Sequence, residues 1–455
     1  MACYQNNLDH LRDEFHRLDF LLESAVAEFR HLRNGDGSAQ FRGLYISDEE
    51  VNQLITSAGE LSGAARAETE SKVTGLRSEI QQRVDESQRA GIFLRLPYLS
   101  AVFGLSPLDT DLLLLALAPE FDPRYQKLYA YLQDDVGRKR PSIDLALRLF
   151  CVTLHEHVKA REFFADGSPL LTHSLLALYE EPGEHPAPLL NRSIKIDDRI
   201  GEFLLGSDRL DQRLTESSLM ARWVTPRINL RDLIIPEDMK ALLDKVISVS
   251  AVNPAWCCLL HGPAGVGKKA VAEAICHDIG RPLLIADLSA LLKSGLTFQT
   301  LLRVAFREAR LYGSAIYLDG WQELLQDEPG HLAALRAVEQ EIERFPGPTF
   351  IGSRSPWRPS NRFRYRFVSL ELPLPHDRLR RELWEAQLNN GTPEGAEIDT
   401  DHLASAFRFT AGQIRQAIAQ AEAQAWLRQG EGYQLSMDDL LAGCRAESTQ
   451  RPPRS

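Results

Sequence analysis

The chain lacks any cysteine pattern that would organise a fold. Its six cysteines lie at positions 3, 151, 257, 258, 276 and 444, with no CxxC pair and no histidine set nearby. This excludes a disulfide framework and a zinc ribbon, and leaves reduced thiols of the kind a reducing compartment maintains. No apolar run reaches the ~18 residues that a membrane span needs. The N-terminus, Met-Ala-Cys-Tyr-Gln-Asn-Asn, has neither a basic start nor an apolar core. Cytoplasmic residence, with no membrane partner, is the expectation. Basic clusters are scarce as well. None is larger than Arg138-Lys-Arg140 or the segment from Arg362 to Arg366, and the formal net charge is −11. A sequence-independent grip on nucleic acid is therefore not expected. Internal repeats are absent, and the one polar low-complexity stretch is the tail 447–455, expected to be disordered.

What is present is enough chain, 455 residues with 44% hydrophobic composition, for two to four domains each with its own core. Apolar residues at Leu8, Leu11, Phe15, Leu18, Leu22, Ala25, Phe29 and Leu32 alternate by three and four, the period of a helix with one narrow seam. A stop at Asn34-Gly-Asp-Gly-Ser38, a capping box at Ser47-Asp-Glu-Glu50 and renewed periodicity through Val51–Leu61 and Val73–Val84 predict a helical hairpin over 1–90. Residues 91–222 read as a helical, winged-helix-like domain. Its centre is the apolar block Leu112–Ala118, started by Ser106 as N-cap and Pro107 at the first helical position. Arg192–Ile196 is a candidate wing strand. From about Trp223 strands alternate with helices, the pattern of a parallel sheet. Five strands are expected, at Trp256–Leu260, Pro282–Asp287, Ala315–Asp319, Thr349–Ser353 and Phe367–Leu372, forming a core over 223–374. A small helical lid over 375–446 follows.

The first of these strands runs into Gly262-Pro263-Ala264-Gly265-Val266-Gly267-Lys268-Lys269, the GxxxxGK spacing of a phosphate-binding P-loop. Small residues at these positions let backbone N–H groups turn inward around an anion, and the following helix directs its positive end at the same charge. Lys268 is placed to neutralise phosphate oxygens. The next residue normally carries a hydroxyl that ligates Mg²⁺, whereas here it is Lys269. The third strand ends in Asp319, where a carboxylate would hold the water shell of that metal.

The order of P-loop, Asp319-terminated strand, polar strand end at Ser353-Arg354, the run Arg362-Phe-Arg-Tyr-Arg-Phe367 and a helical segment with Gly412-Gln-Ile-Arg415 resembles an AAA+ ATPase module over roughly 225–446. The resemblance implies a three-layer αβα core with strand order 5-1-4-3-2 and ATP or ADP held between core and lid, with Mg²⁺ in doubt. It further implies Ser353 as sensor 1, Arg415 as sensor 2, and one of Arg362, Arg364 or Arg366 as an arginine finger. Family members place a water-polarising Glu after the strand aspartate, where this chain has Gly320; the nearest acid is Glu323. A narrower likeness, carried by Leu-Arg-Leu-Pro97, the Leu-Ala-Leu-Ala-Pro-Glu-Phe-Asp-Pro-Arg-Tyr125 run and Tyr131-Leu-Gln-Asp-Asp135, is to winged-helix-preceded AAA+ proteins of phage-tail-like contractile injection systems. In those relatives a degenerate first module usually precedes an intact second one. The likeness therefore implies protein partners, either an intact AAA+ module or a homo-oligomeric ring.

Three functions remain in play. The first is a nucleotide-binding structural or regulatory subunit with weak or absent hydrolysis. The second is an active remodelling ATPase using displaced groups such as Glu323. The third is a winged-helix DNA regulator, disfavoured by Asp109, Asp111, Glu120, Asp122, Asp134 and Asp135 on the helices that would face DNA.

Overall fold

A computed structural model describes residues 3–33, 63–180, 186–215, 220–252, 254–360, 363–389, 398–430 and 432–449. The chain divides into two compact units, Met1–Arg209 and Leu210–Ser455.

In the first unit the helix Asn7–Arg33 lies antiparallel to Gly63–Arg89. The direction follows from three ties: Tyr4 N–H to Ser87 Oγ at 2.8 Å, Arg83 to Asp13, and Thr69 Oγ1 to Ser24 Oγ at 3.2 Å. The predicted hairpin is present, although its expected second helix, Ser47 to Leu61, lies outside the described residues. The apolar block sits in the helix Pro107–Phe121, which continues through Pro119, and Ser106 with Asp109 forms a reciprocal capping box. Asp109 and Asp111, expected on an acidic face, are both buried. Asp109 is spent on the cap. Asp111 accepts from Arg17 at 2.6 Å and also pairs with Arg77. The candidate wing strand is β2 (Ser193–Ile196), paired antiparallel with β1 (Leu176–Tyr179).

The second unit is built on a six-stranded sheet. Its strands are β3 (Ala221–Val224), β4 (Trp256–His261), β5 (Leu283–Asp287), β6 (Ala315–Asp319), β7 (Pro348–Ser353) and β8 (Phe367–Glu371), in the order β3-β5-β6-β7-β4-β8. The last five are parallel to one another and reproduce the 5-1-4-3-2 order. The sixth, β3, corrects the expected count of five; it pairs antiparallel with β5, Ala221 opposite Ala286. The expected boundary between 222 and 223 therefore falls inside a strand, because Ala221 and Arg222 already belong to the ladder.

The central strands are uninterrupted apolar runs, as burial on both faces requires. One face packs the helices Phe298–Leu311 and His331–Arg344, with Leu302, Phe306 and Val338 in the core. The other packs Lys268–Asp278 and Glu237–Val252, with Val271, Ile275 and Leu243. The helices Asp377–Asn389, Thr400–Ala406, Ala411–Gln429 and Met437–Thr449 enclose a separate core of Trp384, Leu403, Ile414 and Leu440. The last of these helices takes in residues 447–449 of the expected disordered tail; 450–455 lie outside the described residues.

Five of the six thiols, Cys151, Cys257, Cys258, Cys276 and Cys444, are buried, and Cys3 is exposed. Burial pushes the Cys258 and Cys444 thiols up to about 12. Among the described residues no helix is long and apolar enough to cross a membrane.

Candidate functional site

Parallel pairing brings the ends of the central strands to one edge of the sheet. His261 stands opposite Ser353, and Asp287 opposite Asp319. Ligands of open α/β sheets bind outside such carboxyl ends. Here the edge borders a cleft of about 880 Å³ lined by the loop residues Ala264, Gly265, Gly267, Lys268 and Lys269 together with Asp319, Ser353 and Arg415.

The loop has the backbone that its sequence requires. Gly262, Gly265 and Gly267 take φ of +145°, +77° and +107°, values that side chains with a Cβ rarely adopt. Gly262 is also confined in space, since a Cβ there would come within 2.1 Å of the Leu372 carbonyl oxygen. Behind the loop the helix Lys268–Asp278 opens at Gly267. A glycine cradle, a helix N-terminus and an adjoining cleft fit a nucleotide's phosphates.

Lys268 spans its own loop, donating from Nζ to the Gly262 and Pro263 carbonyls, each at 2.8 Å. Partial burial holds its ammonium below the ordinary lysine range against the pull of Asp319, and the nearby Arg354 and Lys269 charges add to the depression.

Lys269 points across the cleft to Asp319, with Nζ 2.5 Å from Oδ2. The pair is partly exposed, 47% and 32% of each side chain, so it contributes at most about 1 kcal/mol to stability. Its importance is positional. A Mg²⁺ at this edge needs oxygen ligands in near-octahedral order, and residue 269 supplies an ammonium in place of a hydroxyl while occupying the aspartate. Asp287, the other carboxylate of the edge, accepts from the Ser289 and Ala290 amides at 2.9 and 3.2 Å and caps the short helix Leu288–Leu292. Residue 269 thus offers magnesium no ligand, and one oxygen of each edge carboxylate is already engaged.

Gly320 has φ +73°, and a Cβ there would lie 2.5 Å from Ser289 Oγ and 3.2 Å from Ser289 N. The backbone itself opposes a glutamate at this position. Trp321 is buried against Trp357, ring centroids 4.8 Å apart. Gln322 lies 2.6 Å from Ser353 Oγ, and in the amide orientation that satisfies it the side-chain oxygen accepts from Arg354 N–H at 2.9 Å. Ser353 is thus engaged by a neighbouring side chain. Glu323 lines the same cleft.

On the opposite wall, Gly412 N–H donates to the Gly265 carbonyl at 2.8 Å, and a Cβ on Gly412 would come within 2.8 Å of Gly265 Cα. Beyond Val266 a small apolar pocket of about 70 Å³, lined among others by Ile234, Ile235, Leu372, Leu383 and Ala411, adjoins the loop.

The structure thus brings Lys268, Lys269, Asp319, Ser353 and Arg415 to one cleft. Arg364 and Arg366 do not line it. Both are exposed, and the Arg366 carbonyl accepts from Cys257 N–H near the start of β4, at the other end of the sheet. Arg362 lies outside the described residues. The sequence reading missed Gln322, Asp287 and Ser289, the backbone contact between Gly265 and Gly412, and the exposed Arg354 in the cleft wall. Of these, Asp287 had a visible signal, a carboxylate ending a strand and followed by a helical stretch, and Arg354 had one in the polar strand end Ser353-Arg354.

Three family models match the chain: a variant winged helix domain over 1–218, the ATPase family associated with various cellular activities (AAA) over 258–344, and the contractile injection system ATPase helical domain over 377–450. Similar solved structures include one described under the structural basis for katanin self-assembly, 20% identical, covering 53% of this chain and 93% of that one at a TM-score of 0.43. Another is the FIGL-1 AAA domain, 20% identical, covering 55% and 92% at a TM-score of 0.40.

Proposed function

We propose, from the premise that this chain is an AAA ATPase with an N-terminal winged helix domain and a contractile injection system ATPase helical domain, that it binds ATP or ADP as a structural or regulatory subunit and hydrolyses slowly or not at all. One observation carries this reading: the glycine cradle is intact while the carboxylate beside it is taken by the Lys269 ammonium. Phosphoryl transfer depends on positioning and charge stabilisation. Lys269, Gly320 and the engaged Ser353 withdraw three of the groups that would supply them. The site residues of this reading are Gly262 through Lys268 for the phosphates and Arg415 from the lid. The apolar pocket beyond Val266 suits the base, in keeping with the mixed character of ligand sites.

The partners of this reading are proteins. The exposed Arg364 and Arg366, away from their own cleft, suit a neighbouring subunit's phosphates, in a homo-oligomeric ring or beside an intact AAA+ module. Nucleic acid and membrane are not part of it, and the compartment is the cytoplasm.

Calorimetry with ATP and with ADP, beside a phosphate-release assay on the same sample, tests the proposal. Binding without phosphate release supports it. Turnover abolished by Asp319→Asn would overturn it in favour of an active remodelling ATPase. Glu323, inside the cleft, is the one residue that favours this second reading, and Glu323→Gln would then also remove turnover.

A further inference from the structure

We infer that the Lys269 ammonium, held by Asp319 at the edge of the cleft, replaces the divalent cation as the counter-charge of the phosphates, so that the ligand of this site is the metal-free nucleotide. The inference rests on the nucleotide-binding reading above and goes further, since it fixes the ionic form of the ligand.

Three observations carry it. First, a lysine ammonium has three donor positions. The contact with Asp319 Oδ2 at 2.5 Å uses one, and the side chain remains 47% exposed toward the cleft, leaving donors for phosphate oxygens. Second, each carboxylate of the sheet edge already has one oxygen engaged, Oδ2 of Asp319 and Oδ1 of Asp287. Asp319 carries the ammonium, and the Asp287 oxygen accepts two backbone amides at the start of its helix. Third, the charges facing the site favour a fully ionised polyphosphate. Lys268, Lys269, Arg222, Arg354 and Arg415 line the cleft with Asp287, Asp319, Glu273 and Glu323, and two of those four acids are already committed. A nucleotide chelated by Mg²⁺ brings less negative charge to these cations and places a divalent ion beside a fixed ammonium, a like-charge contact that costs affinity. Magnesium also keeps several waters and accepts only oxygen ligands in ordinary protein sites, neither of which Lys269 accommodates.

The test is equilibrium binding of ATP to the full chain, read by calorimetry in excess EDTA and again in excess Mg²⁺, for the wild type, Lys269→Thr and Lys269→Arg. The wild type is expected to bind as tightly or more tightly in EDTA. Lys269→Thr is expected to lose about tenfold or more of its affinity in EDTA and to recover part of it when Mg²⁺ is added. Lys269→Arg, which keeps the charge, is expected to retain metal-independent binding. Wild-type affinity that rises about tenfold or more on adding Mg²⁺, or a Lys269→Thr protein that binds in EDTA like the wild type, overturns the inference and leaves the nucleotide reading standing. Absence of binding in both buffers, with the thermal melt intact, overturns the nucleotide reading itself.

Discussion

Gly412 N–H donates to the Gly265 carbonyl at 2.8 Å, joining the C-terminal helical segment to the phosphate loop through main chain alone. Their backbones approach so closely that a methyl on Gly412 would stand 2.8 Å from Gly265 Cα and 3.2 Å from its carbonyl oxygen. Alanine is a better helix former than glycine by roughly 1 kcal/mol, so Gly412→Ala favours its own helix while forcing the two elements apart, an overpacking cost of about 1–3 kcal/mol. The expected result is a small change in melting temperature with a loss of about tenfold or more in ATP affinity. Equal affinity in mutant and wild type would show that the contact is irrelevant to the site.

Restoring the family's glutamate does not follow from the sequence alone. The positive φ of Gly320 and the closeness of Ser289 make Gly320→Glu cost about 1–3 kcal/mol. In a unit of this size that lowers the melting temperature by roughly 2–4 °C per kcal/mol. Lys269→Thr combined with Gly320→Glu should melt below Lys269→Thr and release no phosphate above background. A double variant that is equally stable and turns over ATP would contradict the strained geometry.

The depressed Lys268 ammonium gives nucleotide binding a pH dependence of definite sign. An arriving phosphate favours the charged form and raises the lysine, so binding takes up protons wherever Lys268 is partly neutral. Affinity is therefore level below the depressed value and falls as pH climbs through it, before an ordinary lysine at about 10.4 would respond. Without ligand the same depression makes folding stability rise with pH between the folded and unfolded values, because the unfolded chain then holds more protons. Calorimetry in two alkaline buffers of different protonation enthalpy reads the uptake directly. Buffer-independent heats would remove Lys268 from the account.

Near the start of the second unit Asp211 accepts from Arg307 at 2.6 Å, with both side chains almost fully buried. Burial pushes the Asp211 carboxyl up, and the Arg213 and Arg307 charges outweigh it, so the group sits below the usual range. Its contribution to stability is present above about pH 4 and is lost as pH falls through the folded value. Asp211→Ala removes the closest acceptor of the buried Arg307 guanidinium, which keeps Glu308 Oε1 at 3.4 Å, and should cost about 1–3 kcal/mol, seen as a drop in the denaturation midpoint at neutral pH. A drop under about 1 kcal/mol would mean that water already reaches the arginine.

The central strands β4 to β6 could be read from sequence because burial on both faces makes them nearly continuous apolar runs, and Ala315–Asp319 is bounded as expected. Strand β3, Ala-Arg-Trp-Val, escaped because a four-residue edge strand with a charge in it has no comparable signal. The loop was legible for a related reason: its glycines are dictated locally, by φ. The partnerships Gln322 with Ser353 and Lys269 with Asp319 were not, since they join residues far apart in sequence that only the register of β4, β6 and β7 brings together. The strand positions identified Lys269 and Asp319 separately. That one would occupy the other is a property of side-chain reach, which spacing does not encode.

The distribution of the thiols described above makes the native chain a labelling reagent in its own right. With five sulfurs shut inside and only Cys3 facing water, a maleimide dye applied to the folded protein should land at a single address near the N-terminus, without first building a cysteine-free background.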